Sequence, residues 1–177
     1  DSEVLDALEL GIAGSGWLTW QAIAFGQRKR NFIFRDGDGF NVSEGRTRAV
    51  GLEFDLEKPL APGLVAGLRG TWARHQWDFD RDDGGEIIES GKDIASAPRR
   101  IASADLTWRP DERWVMQLAV ESTGRYYLDE VNSRRYGGHL LWHGFAAYRD
   151  PSGWFVEMKL RNLADERYAE RADFAFG

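Results

Sequence analysis

The segment Trp114–Tyr127 reads Trp-Val-Met-Gln-Leu-Ala-Val-Glu-Ser-Thr-Gly-Arg-Tyr-Tyr, the clearest local pattern in the chain. Apolar residues occupy every second position: Trp114, Met116, Leu118 and Val120. The positions between them hold Gln117, Ala119, Glu121 and Thr123. Because successive side chains of a β-strand point to opposite faces of its sheet, this period of two predicts a strand with one apolar and one polar face.

Segments of similar length and pattern fill most of the chain on both sides of this one. Eight are predicted as strands: Val4–Ala13, Trp17–Gln27, Thr47–Glu57, Leu64–Asp78, Arg99–Arg109, Trp114–Tyr127, His139–Arg149 and Trp154–Asn162. Only Ala164–Arg171 hints at a helix. The sequence therefore predicts an all-β protein.

The connections between these segments alternate between short and long. The short ones are Gly14–Gly16, Lys58–Gly63, Pro110–Arg113 and Asp150–Gly153. The long ones are Arg28–Arg46, Phe79–Pro98 and Leu128–Gly138. In an antiparallel up-and-down sheet, alternate connections lie at the same end, so one end has tight turns and the other has long loops. This asymmetry is typical of transmembrane β-barrels and not of Greek-key sandwiches.

Aromatic residues fall near both predicted ends of the sheet. Close to the short turns are Trp17, Trp108, Trp114, Tyr148 and Trp154, which we predict to form a membrane girdle. Near the long loops are Phe25, Trp77, Phe79, Tyr126, Tyr127 and Tyr136, which suggest a second girdle. Tryptophan and tyrosine favour the water–lipid boundary because their rings are partly apolar and partly polar.

Composition excludes several other classes of protein. The 177 residues carry a formal net charge of −6, which argues against nucleic-acid binding. Cysteine is absent, so disulfides and thiolate chemistry are excluded. No apolar run reaches the length of a membrane-spanning helix, and Asp1–Leu10 lacks the features of a signal peptide. If the protein is exported, we expect its targeting information to precede this segment.

Four motifs resemble the C-terminal barrel region of TonB-dependent outer-membrane receptors. They are Gly45–Glu53, Gly91–Pro98, Tyr126–Asp129 with Asn132 and Tyr136, and Asn162–Tyr168. Asn162-Leu-Ala-Asp-Glu-Arg-Tyr168 is the most specific, because it resembles the family's element before the final strand. The motifs follow the family's order, and the resemblance spans essentially residues 3–177.

The resemblance implies a location, a fold and a set of partners. Residues 1–177 would be one partial domain in the bacterial outer membrane, about eight strands of a barrel of about 22 strands, without the plug, the TonB-binding segment or the last strand. Outer-membrane lipid and lipopolysaccharide would surround it. A ferric siderophore or another scarce nutrient would be the transported ligand, and TonB would act only through the absent plug. No cofactor, nucleic-acid partner or enzymatic activity is implied.

Two groups of side chains are candidate binding sites. An arginine–tyrosine cluster around the third long loop would suit an anionic ferric chelate: Arg125, Tyr126, Tyr127, Arg134, Arg135 and Tyr136. The alternative is interface anchoring, with the arginines facing lipopolysaccharide phosphates. The acidic residues Asp78, Asp80, Asp82 and Glu89 match positions of a calcium loop, although Asp83 stands where that loop needs glycine.

Other chemistry receives little support from the sequence. His139 and His143 lie on one predicted strand face about 13 Å apart, too far to share a metal ion. No nucleophile elbow, P-loop or dinucleotide motif occurs, and the paired Glu86 and Glu89 lie in a loop.

Two alternative functions stay open at this point. One is a free-standing eight-stranded membrane barrel with a structural or adhesive role. The other is a soluble carbohydrate-binding β-sandwich. A wide, wet lumen fits better than a narrow one, because the predicted inward positions are charged: Glu53, Asp55, Arg69, Glu121, Lys159 and Arg161.

Overall fold

The computed structural model describes residues 2–35, 40–82 and 87–170. The strands in these ranges are β1 (Val4–Gly14), β2 (Thr19–Arg35), β3 (Asn41–Ala61), β4 (Leu64–Trp77), β5 (Arg100–Trp108), β6 (Trp114–Thr123), β7 (Tyr126–Tyr127), β8 (Arg135–Tyr136), β9 (His139–Arg149) and β10 (Phe155–Leu160). No helix in the described residues is long and apolar enough to cross a membrane.

Eight of the strands form one antiparallel sheet in the order β1-β2-β3-β4-β5-β6-β9-β10. The short strands β7 and β8 pair with each other as a separate hairpin inside the third long connection. Every neighbour in the large sheet is also the next long strand in the chain, so the predicted up-and-down topology is confirmed. In the described ranges β1 does not pair with β10, so the sheet is open. The small closed barrel and the two-sheet sandwich are therefore not what this chain forms.

The first long connection is shorter than predicted. Residues Arg28–Arg30 and Arg46 lie inside a continuous β2–β3 ladder, so the predicted loop Arg28–Arg46 is wrong. Charged side chains interrupt the apolar alternation there, but the backbone pairing continues because it does not require apolar side chains. Two register shifts follow, beginning beside Asn31, which has a φ of 57°. The predicted turn at residues 36–39 lies outside the described residues.

Two other boundaries differ from the prediction. The sixth segment ends as a sheet strand at Thr123, and Tyr126–Tyr127 belongs to the small hairpin instead. The suggested helix at Ala164–Arg171 is wrong, because residues 164–170 form turns and irregular structure. Asn162 and Asp165 both adopt left-handed backbone conformations, with φ of 51° and 50°, which a right-handed helix cannot include. Arg171 lies outside the described residues.

The strand register separates the side chains into two faces. On β3 the apolar face carries Val50, Leu52, Phe54 and Leu56, and the polar face carries Ala49, Gly51, Glu53, Asp55 and Glu57. The same division continues from β1 to β10, where Met158 and Leu160 oppose Glu157 and Lys159. Large apolar side chains on the apolar face are left uncovered, and Leu10 is 72% exposed.

Buried side chains are concentrated at the end of the sheet that bears the long loops. An aromatic cluster forms there from Trp77, Phe79 and Ile88, with Phe32, Phe34 and Ile94 packed against it. Trp77 is only 3% exposed and packs edge-on against Phe79, with ring centroids 5.6 Å apart. Among the described residues no bulky side chain is completely buried. The strands themselves are therefore a wall without a core.

Candidate functional site

Charges on the polar face are matched by opposite charges. Arg69 lies 3.0 Å from Asp55 and 3.1 Å from Asp105, which bridges three adjacent strands. Asp105 also accepts hydrogen bonds from Thr107 and Gln117. These groups are partly exposed, so the pairs hold side chains in place more than they stabilise the fold. The polar face is therefore a compensated hydrophilic surface suited to a wet lumen.

Charges on the apolar face follow a different plan. Four neighbouring strands each place an arginine at the loop end of the apolar band: Arg28 on β2, Arg48 on β3, Arg74 on β4 and Arg100 on β5. We call these residues the arginine row. Each is the next outward-facing residue after an apolar or small one, and Arg28 stands directly opposite Arg48. Like charges directly opposite each other destabilise a sheet pair.

A cavity of about 500 Å³, which we call the rim cavity, lies at the β5 end of the arginine row. Its charged and large aromatic lining includes Trp72, Asp93, Arg99, Arg100, Arg125 and Arg135. Trp72 pairs with Arg100 across β4 and β5, and Asp93 bridges to Gln76, so these lining residues belong to the apolar-face side of the sheet. The rim cavity is therefore on the opposite side of the wall from the polar face.

The one carboxylate in the rim cavity is already engaged. Asp93 has a 7% exposed side chain, and its Oδ1 lies 3.2 Å from Arg74 Nε. Its Oδ2 lies 2.5 Å from Arg99 Nη2. Arg100 and Arg125 form no ion pair with any carboxylate in the described part of the chain. The cavity therefore has uncompensated positive charge.

The predicted arginine–tyrosine cluster is divided between two places. Arg125, Tyr126, Tyr127 and Arg135 line the rim cavity, where Arg135 lies 4.6 Å over the Tyr127 ring and donates to its hydroxyl. Tyr136 instead points to the polar-face strand position His139, with its hydroxyl 2.9 Å from Nδ1. Arg134 is exposed in the turn between β7 and β8. The structure therefore does not gather the six residues around one ligand.

A second contact set on the polar-face side was not anticipated. The His139 ring lies between Tyr136 and Tyr168, with ring centroids 5.9 Å and 4.8 Å away. Tyr168 comes from the segment after β10 and is 40% exposed. Only pairing of β6 with β9, and the return of the chain after β10, could bring these rings together.

The second and third long loops are fastened to each other by side chains, an arrangement we call the loop clip. Asn132 accepts from the Asp93 backbone N–H and donates to the Asp93 carbonyl, each at 2.8 Å. Glu130 accepts hydrogen bonds from Trp77 Nε1 and from the Ala95 N–H. Asn132 has a φ of 61°, a conformation that asparagine tolerates better than most residues.

Asp129 stabilises the turn next to the loop clip. Burial raises the pKa of this carboxyl, but hydrogen bonds from the Ser133 hydroxyl and from the Ser133 and Arg134 N–H groups, with the charge of Arg134, outweigh burial and lower it. Ser133 N–H donates to Oδ1 at 2.7 Å, and the other two donors lie 2.8 Å from Oδ2. The turn therefore depends on the ionised carboxylate.

The five predicted girdle residues all lie at the short-turn end. Trp114 and Tyr148 face each other across β6 and β9 with ring centroids 4.7 Å apart, and Trp154 lies 5.5 Å beyond Tyr148. Trp108 is exposed on the apolar face. Trp17 is exposed in the first turn, where Lys58 Nζ lies 4.6 Å from its ring centroid.

The suggested second girdle is wrong in three of its members. Trp77 and Phe79 are buried in the aromatic cluster, and Phe25 lies over Gly51 on the polar face. The exposed tryptophans toward the loop end of the apolar face are instead Trp72 and Trp142. Distance from a turn does not specify which face a residue occupies, and the register of each strand does.

The acidic loop residues do not converge in the described part of the chain. Asp80 accepts from the Ser90 N–H at 2.8 Å, and Asp78 lies 4.0 Å from Arg48. Among the described residues no group of three or more acidic or histidine side chains could hold a metal ion. Asp83 and Glu86 lie outside those residues. His143 is separated from His139 by its own contacts, with Glu121 at 3.7 Å.

Solved structures share this fold. The ferric yersiniabactin uptake receptor FyuA from Yersinia pestis superimposes with a TM-score of 0.75 at 21% identity, over 93% of this chain and 25% of that one. The ferric citrate transporter FecA gives 0.79 at 18% identity, over 96% and 28%. The copper transporter OprC gives 0.75 at 16% identity, over 98% and 27%. The chain thus spans about a quarter of their lengths.

The sequence comparison identifies the family. No curated protein sequence matches the chain. Residues 1–163 match the family described as TonB dependent receptor-like, beta-barrel. The open antiparallel sheet with one apolar and one polar face agrees with that match, and the chain belongs to the TonB-dependent receptor β-barrel family.

Proposed function

We propose that this chain is part of the wall of an outer-membrane receptor that imports a ferric siderophore or a similarly scarce nutrient. The observation that carries the proposal is the two-faced sheet. An uncovered apolar face extends over the eight strands, and the opposite face bears paired charges. Lipid would cover the apolar face, and the polar face would line a wide lumen.

The backbone satisfies the main requirement of that placement across its interior. Each interior strand of the sheet pairs with neighbours on both sides, so its peptide groups are hydrogen-bonded without water. The apolar positions of β3, from Leu56 to Val50, span about 20 Å at a rise of about 3.3 Å per residue. That length is close to the apolar band of outer-membrane barrels, which is about 25 Å tall. Lipid and lipopolysaccharide would be the partners of this surface.

Ligand capture is assigned to the loop end on the polar-face side. Tyr136 and Tyr168 stack around His139 there, and Arg134 is exposed in the adjacent β7–β8 turn. Aromatic rings and an arginine suit a flat anionic metal chelate. The choice of iron is supported by the names of the similar structures, which include ferric yersiniabactin and ferric citrate uptake proteins. In such a receptor, energy would arrive from TonB through a plug domain.

Uptake measurements in a deletion strain test the transport function. We expect deletion of the full-length gene to abolish uptake of radioactive iron from one chelate in a panel of ferric siderophores. Complementation should restore uptake, and a strain lacking TonB should show none. If no ferric chelate is affected but copper uptake falls, the nutrient is copper rather than iron. If neither uptake changes, the transport function is contradicted.

Two substitutions test the assigned ligand surface. Arg134→Gln should raise the chelate concentration needed for half-maximal uptake, because it removes an exposed positive charge at the loop end. Arg109→Gln is the matched control, because Arg109 is equally exposed but follows β5 at the short-turn end. Equal effects of the two substitutions would contradict the assignment of the ligand to the loops.

A further inference from the structure

The arginine row lies on the face where isolated charge is least expected. The polar face pairs its charged groups across strands, as Arg69 does with Asp55 and Asp105. On the apolar face, Arg28, Arg100 and Arg125 form no ion pair with any carboxylate in residues 2–35, 40–82 and 87–170. Charged groups beside an apolar surface need a counter-charge because water solvates them less well there. An anion from outside the chain would supply it.

The level of the arginines along the strands is also regular. On β2 the outward residue changes from Gly26 to Arg28, and on β4 it changes from Trp72 to Arg74. On β5 the outward residue below Arg100 is Ala102. Adjacent strands thus end their apolar band at a line of guanidinium groups. A line of this kind matches a planar layer of anions above a layer of apolar chains.

We propose that the rim cavity and the arginine row bind the phosphate groups of an outer-leaflet glycolipid, with its acyl chains against the apolar face below. The glycolipid class is lipopolysaccharide. The inference rests on the outer-membrane placement proposed above and deepens it by naming the residues that select this lipid. Arg100 and Arg125 contact the phosphate, and Trp72 packs against the sugar or the first part of the acyl chains.

Charge and shape in the rim cavity fit this ligand. Four arginines line the cavity against the single carboxylate of Asp93, whose two oxygens are occupied by Arg74 and Arg99. Guanidinium groups bind phosphate oxygens through pairs of parallel hydrogen bonds. Asp93 therefore orients two arginines, and the remaining guanidinium donors are available to the ligand.

A second cavity extends the same surface. It measures about 550 Å³ and is lined by Asp6, Arg28, Arg48, Arg74 and Gln76, together with apolar neighbours such as Leu8 and Val50. Arg74 contributes to this second cavity and also contacts Asp93 in the first. The facing pair Arg28 and Arg48 is relieved if a phosphate lies between them. Two phosphates on one diglucosamine headgroup, or two neighbouring lipids, would suit the two cavities.

The position on the wall favours a lipid over the transported nutrient. Trp72 is 44% exposed on the apolar face, and the cavity is continuous with Ala102 and Leu68 of that face. A soluble chelate travelling through the lumen would meet the polar face instead. An amphiphile with a phosphorylated head and apolar tails matches both parts of the surface.

Binding of purified lipid A, a phosphorylated and acylated diglucosamine, tests the proposal. The full-length receptor in detergent would be titrated with lipid A and with the same lipid after enzymatic removal of its phosphates, with bound lipid counted by native mass spectrometry. We expect Arg100→Gln with Arg125→Gln to weaken lipid A binding by about tenfold or more, since each charged hydrogen bond contributes about that factor. Arg109→Gln, at the other end of β5, should leave binding unchanged. Circular dichroism would verify the strand content of each variant.

The outcomes separate the lipid from other occupants. Equal binding of the dephosphorylated lipid would overturn the proposal, and so would displacement of lipid A by millimolar inorganic phosphate or ferric citrate. Loss of iron uptake in the double variant with unchanged lipid binding would assign these arginines to the nutrient and would also overturn it. If the wild type fails to transport iron yet binds lipid A through these arginines, the transport function fails and the lipid site stands. Arg28→Gln tests the same row if the double variant does not insert.

Discussion

The loop end and the short-turn end of the sheet are built on different physical principles. At the loop end, Trp77 and Phe79 are buried in the aromatic cluster, and Asn132 and Glu130 fasten two loops together. At the short-turn end, Trp114, Tyr148 and Trp154 are stacked but remain partly exposed. The loop end is thus stabilised by contacts within the chain, whereas the wall below needs lipid to cover it. The difference implies that a substitution should have different effects at the two levels.

The largest expected effect is at Trp77, and it would test the loop end's dependence on its own core. Trp77→Ala should destabilise the loop end by about 3–5 kcal/mol, the usual cost of removing a large buried aromatic side chain. It also removes the indole N–H that Glu130 accepts. Urea unfolding of the full-length receptor in detergent, followed by tryptophan fluorescence and by amide hydrogen exchange in the loops, measures this cost.

Trp72 is the matched control on the same strand. It is 44% exposed on the apolar face, whereas Trp77 is 3% exposed on the polar-face side. Trp72→Ala should therefore destabilise the loop end far less than Trp77→Ala. Equal destabilisation by the two substitutions would show that the loop end has no separate core.

The next effect concerns the wall and would sharpen the assignment of its two faces. Leu52→Arg should cost about 2–4 kcal/mol in a lipid bilayer, because it places a charge on the lipid-facing surface near the middle of the apolar band. Glu53→Arg, one residue away on the polar face, should cost little, because it exchanges one hydrated charge for another. Refolding yield and urea unfolding in phospholipid vesicles provide the comparison. If Glu53→Arg were the more harmful substitution, the faces would be reversed.

A smaller effect is expected from the loop clip, and it distinguishes long-range from local fastening. Asn132→Ala should destabilise the contact between the second and third loops by about 1–3 kcal/mol, because the buried partners at Asp93 lose their hydrogen bonds. Faster amide exchange at residues 93–95 is the expected observation.

Asn162 offers a local version of the same device. Its side chain also bonds a backbone N–H and a carbonyl, both on Glu166 four residues away. Asn162→Ala should loosen residues 162–166 and leave residues 93–95 unchanged. Protection of residues 93–95 that survives Asn132→Ala would show that the clip does not hold the loops together.

The smallest effect is a pH dependence of the turn held by Asp129. The folded-state pKa of this carboxyl lies below its usual value of 3.8, so its stabilisation is complete above that value. The contribution is lost as the pH falls through the lower folded-state pKa. Amide exchange of Ser133 and Arg134, corrected for intrinsic rates, should therefore accelerate relative to the aromatic cluster in that acid range. Asp129→Asn should remove this pH dependence, and a variant that retains it would assign the effect to another group.

The strand pattern was predictable because it depends on local chemistry. Alternation in Trp114–Thr123 and His139–Arg149 is visible along the chain, and the observed strands agree closely there. The length of β2 and β3 was not, because charged residues such as Arg28 and Arg48 continue the ladder through backbone bonds that side-chain pattern does not reveal. The turn-end aromatics were located correctly for a related reason, since they lie next to recognisable turns.

The candidate site was only partly predictable. Arg125 and Arg135 were identified from a local cluster, but Arg28, Arg74 and Arg100 lie far apart in the chain and were missed. Each has the ordinary appearance of a charged residue at the end of a strand. A useful signal would have been the parity of each arginine relative to the apolar residues of its strand.

The alternation of side chains and the spacing of turns thus determined the fold class, the topology and the two chemical faces, because each depends on residues adjacent in the chain. The register between strands decided which face each loop-end aromatic occupies and which arginines stand together. Trp77 became part of a buried cluster, and Arg28 came to face Arg48, only through the pairing of separate strands. Such cross-strand positions depend on how far one strand is offset from the next, and that offset is set by packing and hydrogen bonding across the whole sheet.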